Sequence, residues 1–308
     1  MIKDVASGTF SPATPASLAS VEGPGPATVG PIDKGKRAWL RSFSPSSTAF
    51  WGIHVAAIVG AVAFFSWKGV LLAIASYFVR MVLVTAAYHR YFSHRAFKTS
   101  RAFQFLLALG AQSSAQKGVL WWAGHHRHHH KYSDTEQDIH SVRRSGLWHS
   151  HVGWILRPEW DATNHEMIGD LTKFRELRFL NHRAVHLLPA VALGAVFWWL
   201  GGVSAFVWGF LVSTVLLWHG SFSINSLSHL FGKRRYPTSD DSRNNWALAI
   251  LTTGEGWHNN HHHYQSSANQ GFRWWEIDVT FYVLRVLEVF GLVWDLRRPP
   301  RAVIAGAA

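Results

Sequence analysis

Three long runs without charged residues constrain the fold of this chain more than any other feature. Residues 48–67 contain no Asp, Glu, Lys or Arg, residues 70–87 contain only Arg80, and residues 184–224 again contain none. A helix that crosses a bilayer needs about 20 predominantly apolar residues. Because Gly201 and Gly202 divide the longest run, the pattern predicts an all-α integral membrane protein with four transmembrane helices in two hairpins. The spans are expected near residues 48–67, 70–88, 184–200 and 203–224.

The distribution of basic residues predicts which ends of the spans face the cytoplasm. Lys and Arg number 14 between His89 and His186, nine after Ser223 and five before Phe50, whereas the hairpin turns carry only Lys68. Because cytoplasmic loops are enriched in these residues, both termini and the central segment are predicted to be cytoplasmic. The net charge of +12 is spread around apolar spans, which favours membrane lipids over nucleic acid as the anionic partner.

The chain outside the spans divides into two tails and a cytosolic helical cap. Residues 1–47 are rich in Ala, Pro, Ser and Gly and predict a disordered tail. Residues 48–295 form the predicted membrane domain, with the cap at residues 89–183 and 225–295, and residues 296–308 form a C-terminal tail. Residues 279–294 are apolar but contain Arg285 and Glu288, which predicts an amphipathic surface helix.

Histidines just outside the apolar runs repeat a spacing that is typical of metal sites. Positions i, i+3 and i+4 share one face of a helix, and one such triplet begins at His126 and another at His258. Asn225 and His229 have i, i+4 spacing, whereas His89 and His94 are five residues apart, so one of that pair is expected past a helix end. The candidate ligands are His89, His94, His126, His129, His130, Asn225, His229, His258, His261 and His262.

Nine histidines exceed what one ion can bind, so two metals are predicted. Imidazole-only sites suit zinc, copper, nickel or iron, and the chain contains no cysteine that could add thiolate chemistry. A simple abundance of histidine, 20 in the whole chain, explains the repeated spacing less well. The histidines that lack this spacing are assigned to packing or interfaces: His54, His165, His182, His186 and His219.

Four segments around these histidines resemble the motifs of a known family. Residues 89–94 (HRYFSH) look like an H-x4-H box, and residues 126–130 (HRHHH) look like an HRxHH box. Residues 225–229 (NSLSH) look like an NSxxH element, and residues 254–262 (GEGWHNNHH) look like a GEGxHNxHH box. In this order they resemble the membrane-bound fatty acid desaturases of the acyl-CoA, stearoyl-type (delta-9) branch, bacterial type, over residues 85–295.

The resemblance implies a fold, a reaction and a set of partners. It implies that the nine histidines bind two iron ions (Fe2+), that Asn225 holds a metal through water, and that four spans lie under a cytosolic cap. The implied reaction uses O2 as co-substrate and two electrons to introduce a cis double bond into a fatty acyl chain carried by CoA or a lipid. A separate electron donor, such as ferredoxin or a reductase, is also implied. The protein itself is expected in the inner membrane of a bacterial cell.

Other residues near the boxes are candidates for supporting roles. Asp134, Glu136, Asp138 and Glu255 are candidates to hydrogen-bond the outer nitrogens of the ligand imidazoles, and surface charge is the alternative for the first three. Five tryptophans are candidates to line an acyl tunnel, with interfacial anchoring or cap packing as the alternative. They are Trp121, Trp122, Trp148, Trp154 and Trp257.

The chain departs from the family pattern next to the HRxHH box. Animal members of the family typically carry an Arg-Asp pair where this chain has Gly124 and His125, so that part of the CoA contact does not carry over. His125, His128 and His263 lie beside candidate ligands and are predicted not to bind metal, because the family spacing already fills the site.

Two other functions fit parts of the same pattern. A hydroxylase or alkane monooxygenase uses similar histidine-rich di-iron chemistry to insert oxygen, and the NSxxH and GEG-containing elements favour desaturation over it. A metal transporter fits less well, because transport ligands lie within the spans near the bilayer midplane. The predicted ligands of this chain lie outside the spans on one face.

Overall fold

The computed structural model describes Ser42 and residues 47–306, so the predicted N-terminal tail falls almost entirely outside the described residues. The described part is mostly helical. Its α-helices are α1 (Thr48–Ala63), α2 (Trp67–Leu83), α3 (Arg101–Gln112), α4 (Val119–Tyr132), α5 (Val142–His151), α6 (Gly169–Thr172), α7 (Arg175–Asn181), α8 (Leu188–Phe206), α9 (Ser213–Ser226), α10 (Trp246–Leu251), α11 (His258–His263), α12 (Val279–Val289) and α13 (Arg301–Ala305). Strands β1 (Lys98–Thr99) and β2 (Val293–Trp294) pair antiparallel.

Two helical runs among the described residues are long and apolar enough to cross a bilayer. The first is Trp67–Ser93, in which α2 continues as a π-helix over Val84–Ser93, and the second is the 42-residue run Leu188–His229. Helix α1 is apolar but has only 16 residues, which is shorter than the span predicted there. Ser66 ends the turn after α1, because its side chain accepts a hydrogen bond from the backbone N–H of Gly69 and starts α2 at Trp67.

The second run is not straight, because the backbone breaks at Gly201-Gly202. Gly202 has φ 62° and ψ −155°, a conformation that glycine adopts without a Cβ clash. The chain then doubles back: a methyl group at Gly194 would lie 3.1 Å from the Phe206 ring and 3.2 Å from the Phe210 ring. The predicted division of this run at the two glycines therefore matches a real change of direction in the backbone.

A buried arginine ties the cap to the end of the first run. The Arg90 guanidinium donates to Glu255 Oε1 at 3.0–3.1 Å, to Asp278 Oδ2 at 2.9 Å and to the carbonyl of Ala268 at 2.7 Å. Arg90 and its three partners are well buried, so the two carboxylates compensate the charge of Arg90 where water cannot. The segment that precedes α11 and the start of α12 are thereby held against the π-helix.

The last part of the described chain contains two helices, α12 and α13. Helix α12 buries Phe281 and Leu284 and leaves Val286 and Val289 on its exposed face, as expected for an amphipathic helix. The predicted C-terminal tail contains α13, and the chain before it is hydrogen-bonded, because the Arg297 N–H donates to Ala96 and the Arg297 carbonyl accepts from Ala268. These backbone contacts hold the segment against the cap.

Candidate metal centre

The nine candidate histidines lie in two groups in the structure. The five-histidine cluster consists of His89, His94, His126, His130 and His261. The four-histidine cluster consists of His129, His229, His258 and His262. In each cluster one nitrogen from every ring lies within 4.8 Å of the others. Each of the two i, i+3, i+4 triplets therefore contributes histidines to both clusters.

Local backbone geometry explains how histidines with different sequence spacings reach the same site. Helices α4 and α11 each carry three candidate histidines on one face, as the i, i+3, i+4 pattern predicts. His89 lies in the π-helix and His94 directly follows it, and the His94 N–H donates to the His89 carbonyl at 3.2 Å, an i to i+5 bond. The wider turn brings two residues five apart to the same cluster.

The distances between facing ring nitrogens fit a bound metal. His94 and His126 approach through their Nε2 atoms at 2.8 Å, His130 and His261 at 3.0 Å, and His229 and His258 at 3.2 Å. Adjacent ligand nitrogens of a six-coordinate metal lie about 3.0 Å apart if each metal–nitrogen distance is about 2.1 Å. His262 Nε2 is buried without a hydrogen-bond partner among the described residues, as expected for a lone pair reserved for a metal.

Four carboxylates fix the orientation of candidate ligand rings through Nδ1. Asp138 binds His129 at 2.9 Å, Asp134 binds His229 at 3.1 Å, Asp240 binds His262 at 2.6 Å, and Glu255 binds His89 at 2.5 Å. A neutral imidazole that donates from Nδ1 has its lone pair on Nε2, so these contacts turn four Nε2 atoms toward the clusters. Asp134, Asp138 and Glu255 thus make the contacts considered from the sequence.

Glu136, the fourth candidate for such a contact, does not make it. Its carboxylate is 85% exposed and lies 3.6 Å from Arg144 at the surface. Asp240 takes this role instead. No sequence pattern indicated it, because Asp240 and His262 are 22 residues apart and follow no helical spacing. The presence of an acidic residue between two histidine boxes does not by itself indicate which histidine it contacts. Only the folded structure identifies the pair.

The buried environment keeps most of these imidazoles neutral, which is the form that binds metal. Burial, followed by the neighbouring histidines, lowers the pKa of His126, His130 and His261 well below the usual range. Burial also lowers the pKa of His262 to about 4, although Asp240 opposes the shift. His129 differs, because Asp138 outweighs burial and raises the pKa of its ring.

The supporting carboxylates remain ionised despite burial. Burial opposes the charge of Glu255, but His89 and Arg90 outweigh it and lower the pKa of Glu255 to about 2. In the same way, His262 outweighs burial and lowers the pKa of Asp240, and His129 lowers that of Asp138. The metal centre is therefore surrounded by fixed negative charge, which balances the charge of bound cations.

A tenth histidine lies against the centre and was not singled out from the sequence. The His140 ring is buried and packs 4.1 Å from the His129 ring centroid on one side and 5.1 Å from Trp154 on the other. His129, Asp138 and His140 form a third group with ligand-type atoms within 4.8 Å. The only sequence signal was its position two residues after Asp138.

The three histidines predicted not to bind metal lie outside the clusters. His125 Nδ1 contacts the carbonyl of Trp121 at 2.8 Å, and His128 Nε2 contacts the carbonyl of Gln137 at 2.8 Å. The His263 ring stacks on Tyr236 with a centroid distance of 4.1 Å. Each ring is thus engaged in a contact directed away from both clusters.

A cavity of 680 Å³ adjoins the centre. His126 of the five-histidine cluster, His140 and Asn225 line it. Its apolar wall includes Phe50, Ile53, Trp121, Trp122, Trp154, Trp218 and Phe222. Asn225 thus lines the cavity four residues before His229 in the chain, and its role as a water-mediated ligand stays a prediction. The size and lining are typical of a site for a largely apolar molecule.

Three of the five tryptophans considered for an acyl tunnel line this cavity, and two do not. Trp121, Trp122 and Trp154 form part of the wall. Trp148 instead stacks on Trp51 at 6.4 Å, and the Trp257 indole N–H donates to the Ile277 carbonyl at 2.9 Å. The last two are therefore packing residues of the cap and its contact with α1.

One polar side chain is fixed in the wall of the cavity. Gln116 Oε1 accepts hydrogen bonds from Ser221 Oγ at 3.2 Å and from the Trp122 indole N–H at 3.3 Å. The amide group of Gln116 thereby joins α4 to α9 across the cavity. This link gives the wall a defined shape at the side next to the metal centre.

One part of the cavity lining is charged, and we call it the charged end. Lys117 and Arg183 lie there with the carboxylate of Asp161, which pairs with Lys117 and lies 2.9 Å from Arg183. Arg157 also lines the cavity, and Asp161 is the single carboxylate in its lining. Nearby, a methyl group at Gly124 would lie 2.7 Å from the Asn164 carbonyl, so a larger residue does not fit there without movement. The excess of positive charge at this end favours an anionic group outside the apolar part.

Comparisons with known proteins identify the family. The family model described as fatty acid desaturase matches residues 65–288. The chain is 37% identical to an sn-1 stearoyl-lipid 9-desaturase of Synechocystis sp. over 262 residues, which cover 84% of this chain and 81% of that protein. It is 36% identical to an acyl-CoA C20 delta5-desaturase of Anemone leveillei, with 86% of each chain covered. It is also 36% identical to delta-9 acyl-lipid desaturase 2 of Arabidopsis thaliana, again with 86% of each covered. The chain belongs to the fatty acid desaturase family of oxidoreductases.

Proposed function

We propose that this protein is an O2-dependent fatty acyl desaturase that introduces a cis double bond, at the delta-9 position, into a saturated acyl chain. The observation that carries the proposal is the contact of the paired histidine clusters with a largely apolar cavity, since His126 belongs to the five-histidine cluster and also lines the cavity. Two relatives are named as 9-desaturases of stearoyl lipids, which supports delta-9 as the position.

The residues of this chain fit two iron ions as the resident metals. The five-histidine cluster would hold one ion, and the four-histidine cluster, with Asn225 through water, would hold the other. Bound iron supplies the redox chemistry that activates O2 for removal of hydrogen from unactivated carbon. Neutral imidazoles, carboxylate-oriented rings and the absence of cysteine suit such a site, because exposed thiolates near activated oxygen would be oxidised.

The protein groups contribute position and the exclusion of water. A methylene chain offers no polar group near its middle, so its register depends on the shape of the wall that encloses it. The aromatic wall of Trp121, Trp122 and Trp218 packs such a chain, and the Gln116 link between α4 and α9 fixes the wall beside His126. The bond that reaches the metal centre is then set by the distance from the charged end of the cavity.

The substrate is a fatty acyl group on CoA or a lipid, and both kinds of substrate occur in the names of relatives. We propose that its carrier lies at the charged end, where Lys117, Arg157 and Arg183 favour an anionic group. Electrons come from a separate donor, such as ferredoxin or a reductase, and the basic surface favours an acidic partner.

The proposed arrangement in the inner membrane of a bacterial cell has four spans, with the cap and both termini in the cytoplasm. Its support is the turn at Ser66 after α1, the fold-back at Gly202 within the second run, and the placement of basic residues outside the hairpin turns. The short α1 then crosses only with flanking residues at the interface.

The experiment that tests the function is mass spectrometry of cellular fatty acids after expression in a host without its own desaturase. We expect new monounsaturated chains, with the double bond located by derivatisation, and we expect them to vanish with His129→Ala. His128→Ala is the matched control, because it removes the neighbouring imidazole, which lies outside both clusters. Hydroxylated chains in place of unsaturated ones would overturn the proposal in favour of a monooxygenase.

The metal is tested separately from the product. Zinc competes for imidazole sites, so the presence of zinc in a purified sample leaves the proposal intact. An active sample that contains no iron would overturn the assignment of iron. Activity that tracks iron content across preparations, with two iron ions per chain at full activity, is the expected result.

A further inference from the structure

Three histidines outside the metal centre form a continuous row behind the wall of the cavity. His54 Nε2 lies 3.1 Å from His219 Nε2, and His219 Nδ1 lies 3.0 Å from His151 Nε2. The row therefore connects α1, α9 and the end of α5. At one end, His54 Nδ1 contacts the Phe50 carbonyl at 2.8 Å. At the other end, His151 Nδ1 contacts Ser226 Oγ at 2.8 Å, and Ser226 Oγ donates to the Phe222 carbonyl at 2.9 Å.

The geometry of the row differs from that of a metal site. His219 contacts its two neighbours through opposite ring nitrogens, so the three imidazoles form a line and do not converge on one point. Among the described residues, none of the three belongs to a group of at least three possible ligands whose ligand atoms all lie within 4.8 Å of one another. Their hydrogen bonds end on backbone carbonyls, whereas the four oriented rings of the metal centre end on carboxylates.

The number of hydrogens available for hydrogen bonds indicates the protonation state of the row. It makes five contacts, and each needs one hydrogen because the carbonyls at both ends only accept. Three neutral imidazoles and one serine hydroxyl supply only four hydrogens. One contact would then bring two lone pairs together at hydrogen-bond distance. One added proton fills all five contacts, so the row as observed fits a single positive charge shared along it.

The surroundings of the row limit it to one proton. The titratable groups beside His219 are His54 and His151, which contact its two ring nitrogens. Burial lowers the pKa of His151, although the Phe222 carbonyl opposes the shift, and no carboxylate or further cation acts on His151 or His219 among the described residues. The His54 ring faces Phe50, Trp51, Trp218 and His219. A second proton would place two charges side by side in an apolar region without a compensating anion.

We propose that His54, His219 and His151 form a proton-holding site that supplies a proton to the cavity during turnover. The inference rests on the proposed function, whose balance is R–CH2–CH2–R′ + O2 + 2 e⁻ + 2 H⁺ → R–CH=CH–R′ + 2 H2O. The electrons come from the separate donor, and the reduction of O2 to water consumes two protons at the centre that adjoins the apolar cavity wall. The row lies directly behind that wall, since Phe50 and Ile53 line the cavity at one end and Phe222 and Asn225 line it at the other.

The proton count is tested without any turnover. Protein labelled with ¹⁵N-histidine and loaded with diamagnetic zinc is studied in bilayers by solid-state NMR near neutral pH, where doubly protonated and neutral imidazoles give distinct signals. The variant His219→Gln breaks the row in its middle, and we expect its difference from wild type to contain the loss of one doubly protonated imidazole. A difference that contains only a neutral imidazole would overturn the proposal.

Two further variants serve as a control and as a replacement for His219→Gln. His165→Gln removes an exposed histidine that lies far from the row in the chain, and we expect no loss of a signal from a buried, doubly protonated ring. If His219→Gln does not fold or load zinc, His54→Gln opens the row at its α1 end and is measured in the same way. Zinc content serves as the check that the two clusters remain assembled.

The contribution to turnover is tested by the pH profile of the desaturation rate. We expect His219→Gln to lower kcat by at least about 10-fold with little change in KM, and to remove the loss of rate at high pH that deprotonation of the row causes in wild type. An unchanged kcat and pH profile with full metal content would overturn the supply of protons. If wild type forms no unsaturated product, the proposed function fails instead, and the NMR result still decides whether the row holds a proton.

Discussion

The two histidine clusters of the metal centre differ in what supports their imidazoles. In the four-histidine cluster, three of the four rings bind a carboxylate through their outer nitrogen: Asp138, Asp134 and Asp240. In the five-histidine cluster only His89 does so within the described part of the chain, and its partner Glu255 is shared with the Arg90 guanidinium. The outer nitrogens of His130 and His261 are buried without a hydrogen-bond partner among the described residues.

Under the proposed function, this difference gives two ways to hold the same kind of metal. A carboxylate partner fixes the ring and raises its basicity, so each ligand of the four-histidine cluster is individually stronger. The five-histidine cluster relies on the number of its ligands. It is also the cluster that reaches the cavity, through His126, whereas the four-histidine cluster contacts the cavity lining through His140, whose ring packs against His129 and Trp154.

Removal of a candidate ligand from either cluster is expected to have the largest effect. We expect His129→Ala in the four-histidine cluster and His261→Ala in the five-histidine cluster each to lower desaturation at least about 100-fold, because the proposed function requires an iron ion in each cluster. Product analysis and metal content of the purified variants measure the effect. We expect each variant to stay in the membrane and to lose metal, and normal turnover in either one would contradict its assignment as a ligand.

Removal of a supporting carboxylate from the four-histidine cluster is the next largest expected effect. We expect Asp240→Asn to lower metal affinity about 10- to 100-fold, because the amide no longer orients and polarises the His262 ring. Competition with a chelator measures the affinity. Asp241→Asn is the matched control, since the Asp241 side chain lies 3.5 Å from Arg143 and 3.8 Å from Arg234, away from the clusters. Equal losses in both variants would refute the contact as the cause.

How much of the candidate metal centre could be predicted from the sequence depends on how many residues separate the interacting side chains along the chain. The histidines of α4 and α11 share a helical face, so a spacing of three and four residues was enough to single them out. Asp138 lies only nine residues from His129, so the short segment after α4 already brought it under consideration. Asp240 could not be found in this way, because only the folded chain between α9 and α10 brings it to His262.

The membrane part shows the same limit. The break at Gly201-Gly202 was predictable, because two glycines interrupt an uncharged run and one of them adopts a positive φ. The length of the helices was not, since α1 ends after 16 residues although the apolar run continues to Trp67. The π-helix that brings His89 to His94 leaves no pattern in composition, because it depends on packing in a crowded core.

The single carboxylate of the five-histidine cluster is expected to matter more for the fold than for the metal. We expect Glu255→Gln to lower metal affinity less than 10-fold, because all five imidazoles remain and only His89 loses its carboxylate partner. It also leaves the buried Arg90 with Asp278 as its only charged partner, which is expected to lower the free energy of unfolding by about 1–3 kcal/mol. Thermal unfolding and chelator competition separate the two effects. A loss of affinity as large as that of Asp240→Asn would remove the distinction between the clusters.

The smallest expected effect distinguishes the acidic residues of one loop. Asp134, Glu136 and Asp138 lie within five residues, yet only the two aspartates reach the four-histidine cluster. We expect Glu136→Gln to leave metal affinity unchanged and to alter the free energy of unfolding by less than about 0.5 kcal/mol, because its 3.6 Å contact with Arg144 is exposed. Chelator competition on Glu136→Gln and Asp138→Asn in parallel measures the contrast. If both variants lost metal equally, the net charge of the loop would explain the affinity, and the hydrogen bonds to individual rings would not.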